Sequence, residues 1–124
     1  MPKRLQRRRT KGWRAPAGAT YVGRGSIWGN PYTVTQHGRH HTVTDSRTNG
    51  VIYSSRDAAD SRRVAVAWYR AWIDGQPDLL ALARRQLAGR DLLCWCPLPA
   101  DGEPDHCHAS VLLEIAAHPE RLAQ

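Results

Sequence analysis

This sequence predicts a small α/β domain, and three observations carry that reading. A short apolar run at 19–23 opens directly into the glycine-dense loop "GRGSIWGN". Two stretches with apolar residues at helical spacing fill the middle of the chain. A buried strand, "RDLLCWCP", is then followed by a third helical stretch, "CHASVLLEIAAH". Strands that alternate with amphipathic helices build a sheet covered by helices. With 124 residues the chain is long enough for one domain with its own core.

The first 14 residues read as a basic arm. Lys3, Arg4, Arg7, Arg8, Arg9, Lys11 and Arg14 are seven of the 18 basic residues, and the other eleven match the 11 acidic ones. The formal charge of +7 therefore resides in this arm. Such an arm attracts a phosphate backbone with salt-sensitive affinity, and all seven cations are candidate nucleic-acid contacts. Trp13 beside them either stacks on a base or tucks against the domain. No hydrophobic run follows, so a secretory signal is not expected. No stretch approaches the ~20 apolar residues of a membrane span. Three cysteines, an odd number, argue against a disulfide framework, and the chain reads as cytoplasmic.

Residues 15–124 read as the single α/β domain. After the first strand, Thr33–Thr35 and Thr42–Thr44 pair around "QHGRHH", and "TNG" turns the chain into Val51, Ile52 and Tyr53. His37, His40 and His41 fall at the hairpin tip, where an exposed loop is expected. Ser54 and Asp57 have the spacing of a capping box, with Val64, Trp68, Ala71 and Trp72 as the inward stripe. Gly75 and Pro77 stop that helix. Pro77 starts the next, which turns Leu79, Leu82, Ala83 and Leu87 inward and ends at Gly89. Pro119 ends the last helix.

Ligands of open α/β sheets gather beyond the carboxyl ends of the strands. Two loops meet that description, "GRGSIWGN" and "CPLPADGEPDHCH". They share one Rossmann-like ligand edge if their strands are parallel neighbours. In the glycine loop, Arg24, Ser26 and Asn30 offer donors for a phosphate or carboxylate, and Trp28 offers a ring for stacking. The alternative is a tight turn with Trp28 packed inward. The loop is neither a Walker loop nor a GxGxxG turn.

The cysteine cluster has three readings. Cys94, Cys96, Cys107 and His108 make a known zinc donor set, with His106 as a substitute fourth ligand, although the one-residue gap in Cys-x-Cys is short. Cys107 at a helix start could instead be a catalytic thiolate with His108 or His106 as its base. The third reading is three small buried core residues. Trp95 faces away from the cysteines and is expected in the core. Asp101, Glu103 and Asp105 read as a solvated acidic loop.

The blocks "KRLQRRRTKGWRAP", "YVGRGSIWGNPY", "AVAWYRAWI" and "LAGRDLLCWCPLP…CHASVLLEIA" occur in this order. Together they resemble a small family catalogued as domain of unknown function 4326, found in phages and bacteria. The likeness covers all but about residues 35 to 60. It implies that the basic arm belongs to the domain. It also implies that Arg24, Trp28, Gly29, Asn30, Pro31, Cys94, Trp95, Cys96, Pro97, Cys107 and His108 match recurring motifs. No activity comes with the resemblance. The expectation is a protein of phage or prophage type that handles nucleic acid or nucleotides. It would do so through the glycine loop and a zinc-bearing Cys/His site beside it. A metal-independent enzyme using the Cys107 thiolate on a nucleotide-like molecule, and a structural or partner-binding phage protein, are the alternatives.

Overall fold

The computed structural model describes residues 2–117. Pro119, the expected stop of the last helix, lies outside the described residues. In chain order the elements are β1 (Arg4–Gln6), β2 (Thr20–Tyr21), β3 (Tyr32–His37), β4 (His40–Asp45), β5 (Gly50–Ser55), α1 (Ala58–Asp74), α2 (Pro77–Gln86), β6 (Leu92–Cys94) and α3 (His108–Ala117). They form two three-stranded sheets.

The first sheet has the order β1-β6-β2, and both outer strands run parallel to β6. A central strand with helices over it is shielded on every side, which is why Leu92, Leu93 and Cys94 are apolar without alternation and all buried. The expected β2 and β6 strands are therefore parallel neighbours. β1 is a correction to the reading of residues 1–14 as an arm, because Arg4–Gln6 pair with Leu92–Cys94. The amide of Leu92 donates to Lys3 O at 3.0 Å and that of Arg7 to Cys94 O at 2.8 Å. An edge of β6 left open would expose unpaired backbone groups, and this charged segment covers it.

The second sheet is an antiparallel meander, β3-β4-β5, with Thr33 opposite Thr44, Val34 opposite Val43 and Thr35 opposite Thr42. Asn49 takes a positive φ of 61° at the turn into β5, the conformation that "TNG" predicts. A bulge between Val43 and Thr44 shifts the β4–β5 register. His37 and His40 face each other across the exposed hairpin tip.

Helix α1 joins two cores. Tyr69 and Ile73 pack with Val22, Trp28, Leu92, Leu112 and Ile115 against the parallel sheet. Ala65 packs with Tyr32 and Val43 against the meander. Two details differ from expectation. The N-cap is Asp57, whose carboxylate accepts from the Ala59 amide at 2.9 Å, because Ser54 is already committed to β5. The buried stripe is Ser61, Ala65, Tyr69 and Ile73, with Ala71 exposed and Trp68 45% exposed against the Tyr32 ring. The helix is rotated so that its small residues meet the sheet closely; Ser61 donates to His41 O at 2.6 Å. Trp72 is half-buried between the two cores. Gly75 ends α1 and Pro77 opens α2, as the sequence predicts. Ala83 and Leu87 are buried, with Leu79 and Leu82 packed against them.

Parallel neighbours end on the same side, so the loops after β2 and β6 leave the sheet together. That shared edge carries the site. The chain passes from β2 into the meander before it enters a helix, so no Rossmann βαβ unit follows the glycine loop.

Candidate functional site

The glycine loop is closed on itself. Gly25 has φ 91°, which L side chains rarely adopt, and a Cβ on Gly23 would lie 2.5 Å from the Tyr21 hydroxyl. The amides of Ser26 and Gly29 donate to Gly23 O and Ser26 O, and Ser26 Oγ donates to Gly23 O at 2.6 Å. The donors expected to cradle a phosphate are thus largely consumed within the turn. Asn30 is committed too, donating to Ala65 O at 3.2 Å and accepting from the Tyr32 amide at 2.8 Å. Trp28 is 4% exposed in the core, and its carbonyl accepts from Tyr69 Oη at 2.8 Å. This corrects the ligand-platform reading of Trp28 and the free-donor reading of Ser26 and Asn30. Arg24 is exposed, as a ligand contact requires.

After Cys94 the strand stops and the chain bends at Trp95–Cys96. The bend brings Cys94 Sγ to 3.6 Å from Cys96 Sγ. Cys107, immediately before α3, completes a cluster whose three sulfurs lie within 4.8 Å of one another. All three are free thiols. A tetrahedral zinc with bonds of about 2.3 Å has sulfur–sulfur edges of ~3.8 Å, close to the Cys94–Cys96 separation. Among the described residues, these three side chains alone form a group able to hold a metal ion. His108 is not brought into it. Its Nε2 donates to Val22 O at 2.6 Å, its ring meets Tyr69 edge-on, and its Nδ1 stands 3.9 Å from Cys107 Sγ. His106 lines the neighbouring cleft without joining the sulfur group.

Crowding splits the thiols. Hydrogen bonds from Cys107 and then Cys96 hold Cys94 far below the ordinary thiol range. Cys107 is pushed far above that range by Cys94, then Cys96, then burial. Cys96 is drawn down by Cys107, but Cys94 and burial raise it on balance. Cys107 is also 1% exposed. Neighbouring sulfurs and burial raise the Cys107 thiol, the opposite of the lowering that a helix start gives.

Arg4 holds this cluster in place. Its Nη1 donates to Cys96 O at 2.5 Å and its Nη2 to Pro97 O at 2.8 Å. Nε and Nη2 grip the two oxygens of Asp105 at 2.8 and 2.7 Å. Burial lowers the Arg4 pKa, but Asp105 and the nearby thiols outweigh it and raise it on balance. Arg4 is therefore withdrawn from the set of nucleic-acid contacts: its side chain is 4% exposed and four of its five N–H donors are engaged within the protein. Asp105, read from sequence as part of a solvated loop, is its partner. Lys3, Arg7, Arg8, Arg9, Lys11 and Arg14 are exposed, and the Lys3 backbone amide donates to Asp91 Oδ1 at 2.9 Å.

Trp95 is a second residue whose place differs from expectation. It is 37% exposed, with the Arg9 guanidinium 4.7 Å and the Arg7 guanidinium 5.2 Å from its ring centroid. Arg7 also lies 5.1 Å from the Tyr21 ring. Strand alternation would have buried Trp95, but the strand has already ended. Trp95, Arg9 and Tyr21 form one wall of a cleft of about 650 Å³. Arg24, Arg62, Tyr32, His106, His108 and the three cysteines also line it.

An α/β domain whose sheet edge carries a metal-competent thiol cluster is the class that fold and site define. The chain belongs to the family described as domain of unknown function (DUF4326), whose model matches residues 5–118. No curated protein and no solved structure matches it. No helix among the described residues is long and apolar enough to cross a membrane.

Proposed function

We propose that this protein handles nucleic acid by taking one nucleotide unit in the cleft, beside a zinc ion held by Cys94, Cys96 and Cys107. The meeting of three arginines, three aromatic rings (Tyr21, Tyr32 and Trp95) and the three sulfurs in one cleft carries the reading. Its volume falls within the range of small-molecule sites. Arginine suits phosphate, aromatic rings suit a base, and soft thiolates select zinc among abundant metals. Arg7, Arg8, Lys11 and Arg14 continue the positive surface outward for a backbone.

The test is fluorescence anisotropy of zinc-loaded protein with labelled single-stranded oligonucleotides and with labelled nucleoside monophosphates, at increasing salt. Binding that weakens with salt, and whose slope falls by about one when Arg9 or Arg24 becomes Ala, supports the reading. Trp95→Ala is expected to lose about 1–3 kcal/mol of affinity. Absence of binding to both probes at low salt would discard it. Binding of oligonucleotides alone, unchanged by Arg24→Ala, would place the contact on the arm and remove the cleft from it.

A further inference from the structure

We infer that the metal at Cys94, Cys96 and Cys107 keeps its fourth coordination position open to the cleft, where it takes a neutral nitrogen donor such as a ring nitrogen of a heterocycle. This rests on the proposed function above and names which part of the nucleotide meets the metal.

Among the described residues no fourth side chain joins the three sulfurs as one ligand group. Both oxygens of Asp105 are held by Arg4. His108 donates from Nε2 to Val22 O, which leaves the Nδ1 lone pair facing Cys107 Sγ at 3.9 Å, yet Nδ1 does not come within 4.8 Å of all three sulfurs. Asp101 and Glu103 are exposed, and neither joins the sulfur group, nor does His106. A closed structural site needs four protein ligands, whereas a site with three leaves one position for an outside group. All three cysteines also line the cleft, so that position faces the space in which a ligand would sit.

Charge decides which ligand atom comes there. Three thiolates around a divalent cation leave one net negative charge at the metal, which repels a phosphate oxygen. The phosphate is drawn instead to Arg9, Arg24 and Arg62 on the cleft wall. A neutral nitrogen donor escapes that repulsion and is a good partner for zinc or cobalt. The cleft thus sorts the two ends of its ligand, anion to the arginines and heterocycle to the metal.

Cobalt(II) reports this directly, because its visible bands depend on the donors around it. Reduced full-length protein is loaded with cobalt and titrated separately with imidazole and with inorganic phosphate. Saturable change of the bands with imidazole, and none with phosphate, is expected in the parent and in His106→Ala and His108→Gln. Cobalt uptake into a site that imidazole does not perturb would overturn the open position and leave the proposed zinc site standing. Phosphate perturbing the bands as strongly as imidazole would overturn the assignment of donor. Failure to take up cobalt or zinc stoichiometrically would overturn both this inference and the metal reading beneath it. Because the parent titration alone decides the matter, a variant that misfolds does not blunt the test.

Discussion

Arg4 and Asp105 lie 101 residues apart in sequence and form a two-pronged ion pair, with Nε–Oδ2 at 2.8 Å and Nη2–Oδ1 at 2.7 Å. The same guanidinium donates to Cys96 O and Pro97 O. One side chain on the first strand thereby ties the bend after β6 to the loop before α3. Those are the two segments that bring the cysteines together.

Removing one member of such a pair leaves the other charge poorly compensated. Arg4→Ala is expected to cost about 3 kcal/mol, the lower end for a broken buried pair because Asp105 keeps some solvent. Arg4→Lys is expected to recover only part of this, since an ammonium cannot reproduce the planar fork. Urea unfolding measures the stability, and zinc titration is expected to show weaker binding in parallel. If Arg4→Ala unfolded like the parent, the clamp would have no energetic role.

A second prediction concerns the wall behind the glycine loop. The buried Tyr69 hydroxyl donates to Trp28 O, and burial raises the Tyr69 pKa beyond the ordinary range of a phenol. Tyr69→Phe keeps the ring but strands a buried carbonyl, so about 1–2 kcal/mol is expected to be lost. Hydrogen exchange is expected to quicken at the amides of Ser26 and Gly29, and unchanged exchange there would show that the loop does not depend on this anchor.

The sheet pairing was legible because it rests on local chemistry. Thr33–Thr35 and Thr42–Thr44 are β-branched and surround a turn, and Asn49-Gly50 needs little context to reverse the chain. The shared edge of β2 and β6 followed from one assumption of parallel neighbours. Arg4 was illegible because its neighbours are cations, while the carboxylate that fixes it is remote in sequence. Trp95 was misplaced because the alternation rule was carried past the end of the strand. In α1 two stripes competed, and the larger apolar residues at Val64, Trp68 and Trp72 outvoted Ser61 and Ala65. The structure chooses the small residues because β4 approaches there, with His41 O as partner for Ser61. Tertiary fit decides between two helical phases that hydropathy alone ranks the other way.

A pH prediction comes from the contact between the meander and α1. The Tyr53 hydroxyl donates a short hydrogen bond to Asp60. Tyr53, then Arg63, lower the Asp60 pKa below 3.8, while Asp60 raises that of Tyr53 above 10.0. A depressed carboxyl contributes stability above its unfolded pKa of about 3.9, which is lost as pH falls through the folded value. A raised phenol contributes stability below its unfolded pKa of about 10, lost as pH rises through the folded value. The stability difference between the parent and Tyr53→Phe is therefore expected to be flat from about pH 5 to 9 and to shrink at both ends. Urea unfolding across that range measures it, and a difference independent of pH would remove the linkage.

The last prediction separates a metal site from three core cysteines by thermodynamics. A metal that binds the folded chain and not the unfolded one stabilises it by about 2.7 kcal/mol at a hundredfold excess over Kd, and about 4.1 kcal/mol at a thousandfold. Zinc is therefore expected to raise the melting temperature of the reduced protein in a concentration-dependent way, and a chelator to reverse the rise. Cys94→Ser, Cys96→Ser and Cys107→Ser each remove one of three soft donors and are expected to abolish most of that increment. His108→Gln is expected to lower stability in the presence and absence of zinc alike, because its ring bonds Val22 O and packs on Tyr69. Differential scanning calorimetry with and without zinc distinguishes these outcomes. Core cysteines would instead give Ser variants that lose stability by equal amounts under both conditions, the cost of a buried hydroxyl in place of a thiol, with no increment for zinc to supply.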